Sequence, residues 1–315
     1  MDCYCVFRRS RLRPVFFRAF KRGKISVCLC LLLVFLAGCS LMEDKVALSP
    51  YGKFTYSDIN ESSGLVKSRQ YENVIWTHND HGDIARIFAT TAEGELIREV
   101  RISGADHVDW EDIAADDAGN LYIGDFGNNR KDRKELTIYM LKEPNPFAPD
   151  GGTQPILKRV QFDFPDRSES LNYGKGKKNR KSMMDCEALF WANGNLYCLT
   201  KHRYERITKL YRFAPIRDNE YQVLTKIAEF KIDAPVTGAD ASPDGSKLLV
   251  LCYDYIYMFE KPSNDDNYLA GPYRRILFTG RKSEGICFAG SDILFSNEQR
   301  DIYKLSQSVF DFKKN

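Results

Sequence analysis

The sequence predicts an all-β protein, a β-propeller of five four-stranded blades, with six as the weaker count. Three observations point there. A short acidic pattern returns along the chain, each return is followed by the same order of turns and apolar runs, and no stretch carries the 3.6-residue stripe of an amphipathic helix.

The returns are Glu61–Leu65 (ESSGL), Asp109–Ile113 (DWEDI), Asp185–Leu189 (DCEAL), Thr237–Ala241 (TGADA) and Ser283–Ile286 (SEGI). Taking Glu61, Glu111, Glu187, Asp240 and Glu284 as markers, the intervals are 50, 76, 53 and 44 residues, and three of the four suit one four-stranded blade. A sixth blade would have to hide in the 76-residue interval, which instead holds Pro144–Gly152 and a basic loop, Gly174–Lys181.

Second strands are expected at Asn73–Thr77, Leu121–Gly124, Leu196–Thr200, Lys247–Cys252 and Asp292–Ser296. Turns such as Asn193-Gly194 and Asp244-Gly245 introduce them. The run Leu248–Cys252 is apolar without alternation, as an inner strand covered on both faces requires. Third strands follow at Ala85–Thr90, Leu136–Lys142, Lys209–Phe213, Ile256–Glu260 and Asp301–Leu305. Fourth strands follow at Leu96–Ile102, Ile156–Phe164, Tyr221–Ile232 and Tyr273–Phe278. The last repeat lacks a fourth strand, and Lys53–Ile59 is a spare one that would close the ring.

The first forty residues differ from the rest. Eight Lys/Arg between Arg8 and Lys24 precede a thirteen-residue apolar run, Ile25–Ala37. That is short of the roughly 20 residues a spanning helix needs and matches the apolar segment of a signal peptide. Leu36-Ala37-Gly38-Cys39 resembles the lipobox of bacterial lipoproteins, which implies lipid on Cys39 and anchoring at a membrane by more than one acyl chain. Ser40 after that cysteine points to the outer membrane by resemblance to enterobacterial sorting. The expected organisation is signal peptide 1–38, tether 39–52, propeller 53–308 and tail 309–315.

Eight of the 46 Lys/Arg and one of the 43 Asp/Glu lie in residues 1–38, so the remainder has a formal net charge of −4. That removes any global electrostatic case for nucleic acid. Of nine cysteines, Cys186, Cys198, Cys252 and Cys287 stay in the exported body. Each sits in an apolar run, so buried free thiols are expected. With Asn193-Gly194 as a turn, Cys198 falls opposite Leu189 and Cys186 opposite Lys201.

First strands line a propeller's channel, so the markers Glu61, Glu111, Glu187, Asp240 and Glu284 should face one another there. Converging carboxylates either hold protons or bind a hard cation such as calcium, with Ser62, Ser63, Thr237 and Ser283 as neutral oxygens. The other reading is architectural: the carboxylates accept backbone N–H groups of the next blade. Loops leaving the second strands, together with Asp109 and Asp185 at the start of two acidic returns, supply a second candidate set for ligand binding: Asn79, Asp80, Asp109, Asp125, Asn128, Arg130, Asp185, Lys201 and Glu298. His78 and His81 share one loop without an evident third zinc ligand, and no nucleophile elbow or phosphate loop is present.

The order NDHGD, DWEDIA, GDFGNNR, DCEAL, SPDG and EGI resembles a group of exported bacterial β-propeller lipoproteins of no settled activity, across most of residues 58–305. A more distant likeness is to five-bladed calcium-activated nucleotidases (apyrases), whose inward glutamates Glu61, Glu111, Glu187 and Glu284 resemble. That likeness implies calcium in the channel, although Thr237–Asp240 departs from it. Two functions follow as expectations. One is a lipid-anchored protein binding an envelope glycan, peptide or protein partner, with calcium in the channel. The other is a metal-dependent hydrolase of phosphoesters or similar anions.

Overall fold

The computed structural model describes residues 45–129, 133–149, 152–165, 184–201, 206–278 and 282–311. Cys39, Arg130 and the basic loop at 174–181 lie outside them. The chain opens with two short strands, β1 (Lys45–Val46) and β2 (Gly52–Lys53). Among the described residues, five antiparallel meanders of four strands follow. The first is β3 (Ser62–Lys67), β4 (Ile75–Asn79), β5 (Arg86–Thr90) and β6 (Leu96–Ser103). The second is β7 (Trp110–Ala115), β8 (Asn120–Asp125), β9 (Leu136–Lys142) and β10 (Gly152–Asp163).

The third comprises β11 (Cys186–Ala192), β12 (Asn195–Thr200), β13 (Ile207–Arg212) and, after a short β14 (Glu220–Val223), β15 (Thr225–Lys231). The fourth is β16 (Val236–Ala241), β17 (Lys247–Cys252), β18 (Tyr255–Glu260) and β19 (Tyr273–Phe278). The fifth has β20 (Ser283–Ala289), β21 (Asp292–Asn297) and β22 (Asp301–Ser306), with β2 as its outer strand.

Each first strand packs on the next around a circle, β3 on β7, β7 on β11, β11 on β16, β16 on β20 and β20 back on β3. Five apolar clusters fill the five seams between neighbouring meanders. The arrangement is a β-propeller. Alternation along β17 shows why its sequence is apolar throughout. Leu248, Val250 and Cys252 enter the seam with the third meander, while Leu249 and Leu251 enter the seam with the fifth. Neither face meets water.

The ring closes differently from expectation. The closing strand is Gly52–Lys53 rather than Lys53–Ile59, with Tyr51 N–H donating to Ile302 O (2.7 Å) and Phe54 N–H to Arg300 O (2.9 Å). Beyond it the chain turns to the first meander, because Lys53 N–H and Thr55 N–H donate to Glu93 O and Gly94 O. Phe54 and Ile59 then fill the closing seam. The segment read as tether also contributes β1, which pairs in parallel with β19. At the other end Phe310 packs into the seam between the fourth and fifth meanders.

Two edge pairings tie neighbouring meanders together: β10 with β6 over Gly152–Pro155, and β14 with β10. The four body cysteines are buried free thiols. Cys198 lies opposite Leu189, but Cys186 lies opposite Thr200, not Lys201, because the strand bulges between them.

Candidate functional site

That bulge recurs. Every first strand slips register by one residue near its start: at Ser63, Glu111, Glu187, Thr237 and Glu284. A β-bulge re-aims a side chain out of the pleat, and here it turns five side chains toward the propeller axis at one end. The residue after each is Gly64, Asp112, Ala188, Gly238 or Gly285. Small residues are required there because the inner strands nearly touch. A Cβ on Gly238 would lie 2.5 Å from Glu284 O, and one on Gly64 would lie 2.9 Å from Asp112 Cα.

Asp112 is the exception, and it seals the channel. Its carboxyl accepts from Ile113 N–H (2.9 Å) on its own strand, Leu189 N–H (2.8 Å) and Ala239 N–H (3.2 Å). Three inner strands are thereby joined across the axis, and the channel above becomes a blind well. Burial drives the Asp112 pKa far above the ordinary carboxylate range, against the pull of those three donors. The acidic repeat pattern concealed this residue, although DWED carries a second acid where the other repeats have Gly or Ala.

Two of the five marker residues therefore need correction. Glu61 precedes the bulge, stands half-exposed on the rim, and does not face the axis. Asp240 lies three residues past its bulge, on the face toward the next meander, where Oδ2 accepts from Phe288 N–H (2.8 Å). Its role is architectural. Burial raises its pKa to about 7. The axial positions in those two meanders belong to Ser63, which donates to Glu111 O (2.7 Å), and Thr237, which donates to Ser283 O (2.7 Å).

Glu111, Glu187 and Glu284 do line the well. Lys201, at the end of β12, pairs with Glu187 at 2.8 Å, both side chains 4 % exposed or less. Its ammonium also sits 5.3 Å from the Tyr253 ring centre, a cation–π distance. Burial alone would lower the Lys201 pKa, but Glu187, then Glu284 and Glu111, drive it up. Burial raises Glu111 well above its ordinary value, and the neighbouring Glu187, Asp80 and Asp109 carboxylates add to the rise. Glu187 and Glu284 are likewise raised by burial, with Lys201 opposing. Among the described residues, no N–H or hydroxyl donor reaches Glu111 Oε1 or Glu187 Oε1, and the two buried carboxyls lie within hydrogen-bond reach of each other.

Of the loop residues, Asp80, Asp109 and Asp185 stand at the mouth. Burial, then the adjacent Asp80, raises Asp109 to about 6, with Arg133 opposing. The remaining loop candidates are braces. Asn79 accepts from the Asn60 and Glu61 N–H groups and donates to Asp58 O and Asp83. Asp125 accepts from Asp109 N–H and pairs with Arg133 at 2.8 Å. Asn128 joins neighbouring meanders, its N–H donating to Asp185 and its amide to Met184 O. Glu298 pairs with Lys282 at 3.0 Å on the surface.

His81 is the residue that sequence reasoning set aside. One oxygen or nitrogen each from Asp80, His81 and Asp109 lies within 4.8 Å of the others. Beside them opens a polar cleft of about 500 Å³ whose lining includes Asp58, Glu61, His81 and Arg86. Arg86 is held by Asp58, Asp83 and Glu99. His78, three residues before His81, is buried in the core, and burial lowers its pKa to about 4.

No family model matches the sequence, and no curated protein matches it. Solved structures are similar in outline. A hydrazine synthase from Kuenenia stuttgartiensis is 8 % identical over 79 % of this chain and 72 % of that one, with a TM-score of 0.42. A putative gluconolactonase is 13 % identical over 78 % and 74 % of the two chains, with a TM-score of 0.43. A chain of a mitotic checkpoint complex is 10 % identical over 75 % and 60 %, with a TM-score of 0.37. Such distances transfer no residue roles, and the propeller assignment stands on the strand pairing alone.

Proposed function

We propose that this chain is a lipid-anchored envelope protein that binds a ligand or protein partner at the mouth of its propeller, with a divalent cation held among the channel carboxylates. One observation carries the cation: two nearly fully buried glutamates, Glu111 and Glu187, face each other, and each keeps an oxygen that no N–H or hydroxyl donor reaches. Leaving such a group unsatisfied costs about 1–3 kcal/mol, more when it is charged. A cation held beside Glu111 would satisfy its oxygen, while Glu187 keeps the Lys201 ammonium on its other oxygen. Lys201 is a single positive charge among several carboxylates, so it neutralises only part of the well.

The anchor rests on the Leu36–Cys39 motif and on the length of the apolar run before it. A hydrolase reading has one support, the proton-holding Glu111 beside a cation, which could act as a general acid. Against it, the mouth is lined by Asp80, Asp109 and Asp185, which repel a phosphoester. Binding is therefore the preferred function.

The test is the melting temperature of the purified mature chain with Ca²⁺, Mg²⁺, Mn²⁺ or Zn²⁺, and with chelator. A rise of several degrees with at least one ion is expected. No shift with any of them ends the cation reading. Phosphoester turnover abolished by Glu111→Gln would replace binding with hydrolysis. For the anchor, palmitate labelling lost in Cys39→Ala is expected, and a labelled variant refutes it.

A further inference from the structure

We propose that Asp80, His81 and Asp109, backed by Glu111, form an off-axis site for a first-row transition-metal dication, rather than a calcium site on the propeller axis. The inference rests on a cation being held among these carboxylates, and it names the ligands and the class of ion.

The axis is already occupied. Lys201 lies against Glu187 and acts on Glu284, so an ion centred there would meet an ammonium. To one side, ligand atoms of Asp80, His81 and Asp109 gather within 4.8 Å. His81 Nδ1 is 3.5 Å from Asp80 Oδ2. Two ligands of one tetrahedral ion at about 2.1 Å would stand roughly 3.4 Å apart.

The second observation is the orphaned oxygen of Glu111, a residue 3 % exposed. A Cβ placed on Gly127 would fall 1.9 Å from Glu111 Oε1 and 2.4 Å from Asp109 Oδ2. Both oxygens therefore crowd the same glycine, at 1.9 and 2.4 Å from one point, so that Glu111 Oε1 and Asp109 Oδ2 are neighbours. Asp80 Oδ1 is a further buried oxygen without a partner among the described residues.

The loops hold these groups in place. Asp80 N–H donates to Glu61 O (2.9 Å), Asp109 N–H to Asp125 (3.0 Å) and Gly127 N–H to Asp109 O (3.1 Å). His81 is two-thirds exposed, which leaves solvent access and open coordination positions. The imidazole decides the class of ion. Calcium takes six to eight oxygens, whereas a nitrogen with carboxylates suits manganese, iron, cobalt or zinc.

The experiment is calorimetric titration of the untagged mature chain with Mn²⁺, Zn²⁺ and Ca²⁺, together with the absorption spectrum of the Co²⁺-loaded protein. Mn²⁺ or Zn²⁺ should bind at least about tenfold more tightly than Ca²⁺. His81→Asn, a surface change, should erase that preference and alter the cobalt bands while leaving Ca²⁺ binding within about twofold. Glu111→Gln should weaken every ion. Tighter binding of Ca²⁺, or a cobalt spectrum unchanged by His81→Asn, overturns this assignment and leaves the cation reading standing. Failure of all ions to bind overturns both.

Discussion

Five inner strands bulge at the same place, yet two of them end in hydroxyls and three in glutamates. Ser63 and Thr237 each donate to a carbonyl of the following strand, so their polar atoms are spent on joining meanders. The carboxylates of Glu111, Glu187 and Glu284 have no hydroxyl proton to give a carbonyl, and they reach over the axis instead. There burial and mutual repulsion raise their pKa values, and two of them keep an oxygen unpaired. One backbone device thus serves architecture at two positions and leaves reactive groups at three. The difference is whether the side chain carries a proton to donate.

The largest test of that contrast is Lys201. Replacing it by Met strands Glu187 in a buried site, and removing one partner of such a pair costs about 3–5 kcal/mol. Denaturant unfolding at pH 7.5 should show a loss of this size. At pH 5, where the glutamates hold protons, the loss should shrink. Equal losses at both values would mean that Lys201 acts through packing rather than charge.

An effect of comparable size is expected from pH alone. Asp109 and Asp240 have folded pKa values of about 6 and 7, above their unfolded values near 4. In that window the folded state binds more protons than the unfolded one, so stability falls as pH rises, by at most about 1.4 kcal/mol per unit for each group. Without added metal, the melting temperature should be higher at pH 5 than at pH 7.5. Asp240→Asn should flatten the profile. A metal ion should oppose the trend, because it binds the ionised carboxylates. A melting temperature that climbs steadily from pH 5 to 7.5 would contradict the assigned shifts.

The smallest effects belong to the hydroxyls. Ser63→Ala and Thr237→Val should each cost about 1 kcal/mol, the usual net value of a neutral hydrogen bond, and leave ion binding untouched. A change in ion affinity from either one would erase the distinction between the two kinds of bulge.

Much of this molecule was legible along the chain. Strands such as Lys247–Cys252 and Tyr273–Phe278 stood where their apolar runs and turns placed them, because each meander is built from neighbours in sequence. The repeat of acids also led to Glu111, Glu187 and Glu284. It misled at Glu61 and Asp240, since an acid of the right type can sit two residues early or three late and still preserve the pattern. One residue of offset decides whether a side chain faces the axis, a seam or solvent.

By itself, then, the sequence determined the order of strands and the double burial of the inner ones, both consequences of local periodicity. The tertiary structure alone decided where the strands bulge, that Asp112 closes the channel, and that His81 meets Asp80 and Asp109. Those outcomes depend on how closely five inner strands approach around an axis. Such distances arise between segments remote in the chain, and local pattern carries no record of them.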